Sequence, residues 1–186
     1  MGFLDSLLGK TVLPKARSEK LFAISTAAIS LESLGIVPGG KAAICFKAMD
    51  SSRLQAARTE IEELLSLSGR ETGTKHAVES DRYGFLWVVL EDRDFEDLVT
   101  GIHMVSQTLA DHGFGEWLLC AVYLFKEPRP VYWIYNFKQG SYYPFVPSGE
   151  SQRDNALEFR LRSLMEKELP IQKDLERWYP LWGMPI

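Results

Sequence analysis

Two stretches of this chain, Tyr83–Leu90 and Trp117–Phe125, are apolar at nearly every position, where a half-buried strand would alternate apolar with polar. A strand that is apolar on both sides has to be covered on both sides. A fold built on these segments therefore needs helices on one sheet face and a second cover on the other. The sequence offers three sources for that second cover: N-terminal helices, an aromatic C-terminal tail, or another subunit, as in a homodimer.

The rest of the chain supplies the elements around these strands. Ser18 is placed to cap a helix whose apolar residues are Leu21, Phe22, Ile24, Ala28, Ile29, Leu31 and Leu34, and Gly35 with Pro38-Gly39-Gly40 ends it. A strand over 41–48 follows, then a helix capped by Asp50 and running to about Ser68 on the stripe Leu54, Ala57, Ile61, Leu64 and Leu65. Strands over 74–79 and 83–91 are joined by a tight turn near Asp81 and Arg82. Asp94 opens a helix with Phe95, Leu98, Val99, Ile102, Val105 and Leu109 on one face, and His112-Gly113 closes it. Strands over 116–125 and 131–137 flank a Lys126–Pro130 turn, and residues 142–146 form a short edge strand. A last helix over about 154–168 turns Leu157, Leu161, Leu164 and Met165 inward. From Lys41 to Phe125 the order is β-α-β-β-α-β, the ferredoxin-like order. The expected fold is thus α+β, a two-layer sandwich with an antiparallel sheet. Residues 1–17 make an N-terminal amphipathic helix and linker, and residues 18–186 a single domain that includes the tail.

Charge and cysteine usage narrow the function classes. A net charge of −4 over 186 residues argues against a general nucleic-acid binder, which needs a basic surface to displace counterions. Cys45 and Cys120 are the only cysteines, both inside apolar runs and far apart in sequence, which suits a reducing compartment rather than a disulfide scaffold. Asp5 interrupts the first apolar stretch after a few residues, and no run reaches the roughly 20 apolar residues of a membrane span. A cytoplasmic protein is expected.

Motifs of catalysis fail on context. Gly9-Lys10-Thr11 looks like the end of a phosphate loop, but Leu4 stands where the first glycine belongs and no strand precedes it. His76, His103 and His112 have no ligand spacing, and the two in the 94–112 helix suit structural roles. No Gly-x-Ser-x-Gly elbow occurs, and Gly113-Phe114-Gly115 follows a helix rather than a strand. Catalytic, cofactor-binding and metal-binding residues are all expected to be absent, so the chain reads as a binding protein and not an enzyme.

Two segments carry the binding candidates. Phe3, Leu4, Leu7 and Leu8 form an apolar face, with Lys10, Lys15, Arg17 and Lys20 close behind. Such a face either lies peripherally on an anionic membrane or docks on the second sheet face. The stretch after Asn136 is rich in aromatics and proline, with Tyr143, Phe145, Arg153, Asp154, Trp178, Tyr179 and Trp182 as partner-binding candidates. These residues either clamp the tail to the domain or present hot spots to a partner.

The opening Met1-Gly2-Phe3-Leu4-Asp5, Gly113-Phe114-Gly115, Tyr143-Pro144-Phe145, Arg153-Asp154-Asn155-Ala156, Glu168-Leu169-Pro170 and the closing Trp178–Pro185 segment resemble the PspAB family of phage-shock-protein-A-associated proteins. The resemblance runs along nearly the whole chain, through the order and spacing of these pieces. It implies a role beside PspA, a coiled-coil protein that coats stressed membranes, and a link with a membrane-bound HtpX-type protease. It implies no catalytic residues. The expected function is a non-enzymatic accessory protein of the membrane-stress response acting through protein–protein contacts. Two alternatives stand beside it: a YbjN-like or type III secretion-chaperone-like α+β module that binds clients, and a small hydrolase or ligand-binding domain with a pocket between sheet and tail.

Overall fold

The computed structural model describes residues 17–48 and 52–186. The apolar face Phe3, Leu4, Leu7 and Leu8 and the Asp50 cap lie outside the described residues. Helices α1 (Ala23–Ser33), α2 (Ser52–Thr72), α3 (Phe95–Asp111) and α4 (Asn155–Met165) combine with strands β1 (Val37–Lys47), β2 (Lys75–Ser80), β3 (Phe85–Glu91), β4 (Leu118–Glu127), β5 (Arg129–Asn136) and β6 (Ser141–Phe145). The six strands form one antiparallel sheet in the order β2-β3-β1-β4-β5-β6. Its first four strands and their two crossover helices carry the ferredoxin-like connection expected from the sequence, and β5 and β6 extend it by two hairpins. A small hairpin of β7 (Pro147–Gly149) with β8 (Gln152–Arg153) has no counterpart in the sequence pattern; it sits between β6 and α4.

The core has two parts, one on each sheet face. Even-numbered residues of β1 and β3, such as Ile44, Phe46, Val88 and Leu90, pack with apolar residues of all four helices. Their odd-numbered neighbours Ala43, Cys45 and Trp87 face the other way, with Val122, Leu124, Ile134, Tyr143 and Phe145. The near-continuous apolar runs follow from this double burial. In β4 a bulge adds to the effect: Phe46 pairs with Leu118 and Cys45 with Cys120, so Leu119 has no partner on β1. Leu119 and Cys120 consequently both face the second side, with Leu118 and Ala121 on the helix side.

The second cover is the C-terminal tail. After α4 the chain meets the outer edge of β6, where the Tyr142 amide donates to Pro170 O and the Gln172 amide donates to Tyr142 O, both at 2.8 Å. This pairing uses up the edge that Pro144 leaves incomplete. Trp178, Leu181, Trp182, Met184 and Ile186 then lie on the second face. The Tyr132 hydroxyl donates to Ile186 O at 3.0 Å and fixes the far end.

Several local expectations need correction. Pro38-Gly39-Gly40 belongs to β1 and not to a helix end; a register shift between Pro38 and Ala42 takes up the irregularity, and Gly40 at φ +78° provides it. Residues 19–22 form turns ahead of α1, so Ser18 does not cap it; its carbonyl accepts from the Leu21 amide instead. Ile29 is 70% exposed and Leu164 is exposed as well, because the sheet is contacted by a narrower stripe than the sequence pattern suggested. The β4–β5 turn is shorter than Lys126–Pro130, since Lys126 pairs with Pro130 and Glu127 with Arg129. By contrast, α3 starts where the sequence places it, and the Asp94 side chain caps it through the Glu96 amide.

Candidate functional site

The tail does not cover the whole second face. Strand pairing sets a row of side chains across it: Trp87 on β3, Cys45 on β1, Cys120 on β4 and Asn136 on β5 are successive register partners. The tail packs over the neighbouring rows, Val122–Ile134–Tyr143 and Leu124–Tyr132–Phe145, and borders this one less closely. The result is a cavity of about 630 Å³ floored by Trp87, Cys45 and Cys120 and walled by Tyr179, Leu181 and Trp182. This size lies in the range of small-molecule pockets, and the lining is mostly apolar.

Polar groups mark two ends of the cavity. At the β2–β3 turn, Asp81 accepts from Trp87 Nε1 at 3.0 Å and from the amides of Tyr83 at 2.8 Å and Phe85 at 3.0 Å. Burial pushes the Asp81 carboxyl up, but these bonds outweigh it and hold its pKa below the ordinary value. At the β5–β6 turn, Asn136, Lys138 and Gln139 line the wall. The Lys138 ammonium donates to Glu116 O, and burial lowers its pKa. Two thiols lie between these ends. The facing Cys120 thiol, and then burial, push the Cys45 thiol well up from its ordinary value.

The residues singled out after Asn136 are mostly brought together beneath the tail. Trp178 is 4% exposed and stacks on Tyr143 with ring centroids 6.1 Å apart; its Nε1 donates to Gln172 O at 2.9 Å. Phe145 is buried and meets Trp182 edge-on at 4.9 Å. The Tyr143 hydroxyl donates to Tyr179 O at 2.9 Å, and Tyr179 itself is 50% exposed. Arg153 joins sheet, helix and tail. Its Nε donates to Glu158 Oε1 at 3.0 Å and its Nη1 to Trp178 O at 2.6 Å. Glu158 also accepts the Val146 amide, and desolvation pushes its pKa up against the pull of these bonds. Asp154 caps α4 through the Leu157 amide and pairs with Arg129 at 2.9 Å.

Sequence reasoning missed the cavity floor. Cys45 and Cys120 are 75 positions apart, and their only signal was that each sits mid-strand in an apolar run. Among the described residues no group of three or more His, Cys, Asp or Glu could hold a metal ion, and no helix is long and apolar enough to cross a membrane.

The family model described as PspA associated protein B matches residues 1–186, every residue of the chain. The chain belongs to that family. No curated protein and no solved structure matches it. Membership links the chain to PspA and so to the phage-shock theme. The family description names an association, and the cavity and tail are this chain's own geometry.

Proposed function

We propose that this protein is a non-enzymatic accessory component of the PspA-type membrane-stress response, and that it works by taking apolar side chains of a PspA-type coiled-coil protein into the cavity beside the tail. One observation carries the reading: the tail packs on the second sheet face but leaves beside it an apolar cavity of about 630 Å³, lined by Trp87, Cys45 and Cys120 of the sheet and by Tyr179, Leu181 and Trp182 of the tail. A coiled-coil protein presents an apolar stripe at helical spacing, and helix-in-groove docking inserts such a stripe into an apolar cleft. Each aliphatic side chain moved from water into the cavity contributes about 1.5–3 kcal/mol before the cost of association. Exposed Tyr83 and Tyr179 border the opening, where aromatics act as anchors.

The cavity chemistry favours binding over covalent catalysis. No histidine is among the described residues that line it, and the Asp81 carboxylate is already committed to Trp87 and two backbone amides. A thiol without a positioned base is a weak candidate for a catalytic nucleophile. Peripheral membrane contact through Phe3, Leu4, Leu7 and Leu8 belongs to the same proposal as a second, separate attachment, and a membrane-bound protease fits it as a neighbour.

The test uses the full chain and the purified PspA-type protein of the same organism, with affinity read by calorimetry. Wild type should bind, and Leu119→Trp, which fills the opening from the cavity wall, should weaken binding by about tenfold, roughly 1.4 kcal/mol. Equal affinity of Leu119→Trp, with its fold intact by circular dichroism, would remove the cavity from the contact. No binding by wild type, with or without anionic vesicles, would remove direct contact altogether.

A further inference from the structure

The cavity floor holds the chain's two cysteines side by side, and the partner-binding reading makes no use of their thiol chemistry. Cys45 on β1 and Cys120 on β4 are antiparallel register partners with both side chains on the second face. Directly opposed residues of an antiparallel pair have Cα atoms about 4.5–5.5 Å apart, inside the range of about 4.4–6.8 Å that a disulfide spans. The bulge at Leu119, next to Cys120, gives β4 local freedom to bring the sulfurs closer.

Thiols sealed in an apolar wall are inert. Both are buried, Cys45 at 3% and Cys120 at 7% exposure, but each also lines the cavity of about 630 Å³, which gives a small solute a route to them. The sequence contains no third cysteine to compete for either sulfur.

We propose that Cys45 and Cys120 form a reversible cross-strand disulfide, with hydrogen peroxide entering through the cavity as the oxidant. Cys120, the more exposed of the two residues, reacts first. Its sulfur attacks one peroxide oxygen, the O–O bond breaks, and the leaving hydroxide takes up the thiol proton as water, giving a sulfenic acid. The Cys45 sulfur then attacks the Cys120 sulfur and the S–O bond breaks. The departing hydroxide takes the Cys45 proton and leaves as a second water. The two sulfurs lose two electrons in all and the peroxide gains them. A thiol reductant reverses the bond by exchange. The product links the two central strands of the sheet and draws the sulfurs together in the floor of the cavity.

Disulfide closure needs no partner in the cavity, so its test is separate from the binding test. The reduced full-length protein is treated with hydrogen peroxide under native conditions, then unfolded, labelled with a maleimide and weighed intact. The expected product is monomeric, two hydrogens lighter than the reduced chain, unlabelled, and returned to two labelled thiols by dithiothreitol. Cys45→Ala and Cys120→Ala should each abolish it. Native closure should be about tenfold or more faster than in denaturing urea, because the fold holds the thiols in register. Three results would each overturn the proposal: two thiols still labelled after peroxide, products carrying added oxygen or joined between chains, or closure that proceeds only after unfolding.

Discussion

Trp178→Ala tests whether the tail is an integral cover of the second face. The side chain is 4% exposed, stacked on Tyr143, and tied through Nε1 to Gln172 O. Truncating a buried tryptophan costs about 3–5 kcal/mol through lost transfer energy and the cavity left behind. The hydrogen bond contributes about 1 kcal/mol within that range. A loss of about 4 kcal/mol is a large share of a domain's usual 5–15 kcal/mol. With an m-value of about 2 kcal/mol/M, the urea midpoint followed by far-UV circular dichroism should fall by about 2 M. Trp178→Phe keeps a ring against Tyr143 but loses the N–H donor, so it should cost about 1–2 kcal/mol. A loss below about 1 kcal/mol for Trp178→Ala would refute the account. The tail would then rest on the sheet without stabilising it, and the second face would need another cover.

Further outcomes follow from the same contacts. Arg153→Ala strands the Glu158 carboxylate, which is 1% exposed, and should cost about 3–5 kcal/mol in the same urea assay. Arg153→Ala combined with Glu158→Gln should recover part of that loss, and no recovery would mean that the guanidinium acts through its other contacts, the Trp178 and Pro144 carbonyls and the Phe145 ring. At high pH the buried phenols govern stability. Burial, followed by the field of Glu19, pushes the Tyr135 pKa up from 10.0 to about 12. Between those values the folded chain keeps a Tyr135 proton that the unfolded chain releases, so the Tyr135 contribution to stability should fall as pH rises from about 10 and level off above about 12. Tyr135→Phe should flatten that decline without removing it, because burial also raises the pKa of Tyr123, Tyr142 and Tyr143. An unchanged slope in denaturation midpoints across this window would exclude Tyr135 as a contributor.

What could be read from the residues was mainly local. The stripe of α3 with its Asp94 cap, and the stripe of α2, repeat at helical spacing, and such periodicity survives in any tertiary context. Errors arose where a neighbour decided the outcome. Pro38-Gly39-Gly40 carries the composition of a loop, yet β4 pairs with Val37 and Pro38 and draws the segment into β1. Ile29 fits an apolar stripe by spacing, but it stays in solvent. In the candidate site, Tyr143, Phe145 and Trp178 stood out as large aromatics close in sequence to prolines. Nothing in the chain showed that they stack on one another or that Arg153 reaches the Trp178 carbonyl.

The double apolar strands by themselves determined that both sheet faces are buried, since exposing either face would leave a band of large side chains in water. The β-α-β-β-α-β order determined the four-strand centre. Only the tertiary structure decided that the chain's own tail packs on the second face and leaves a cavity beside Trp87, Cys45 and Cys120. Only register across β1 and β4 placed the two cysteines opposite each other. The physical reason is range. Periodicity and capping act within a few residues, whereas register depends on every hydrogen bond between distant strands and on the bulge at Leu119 that shifts it.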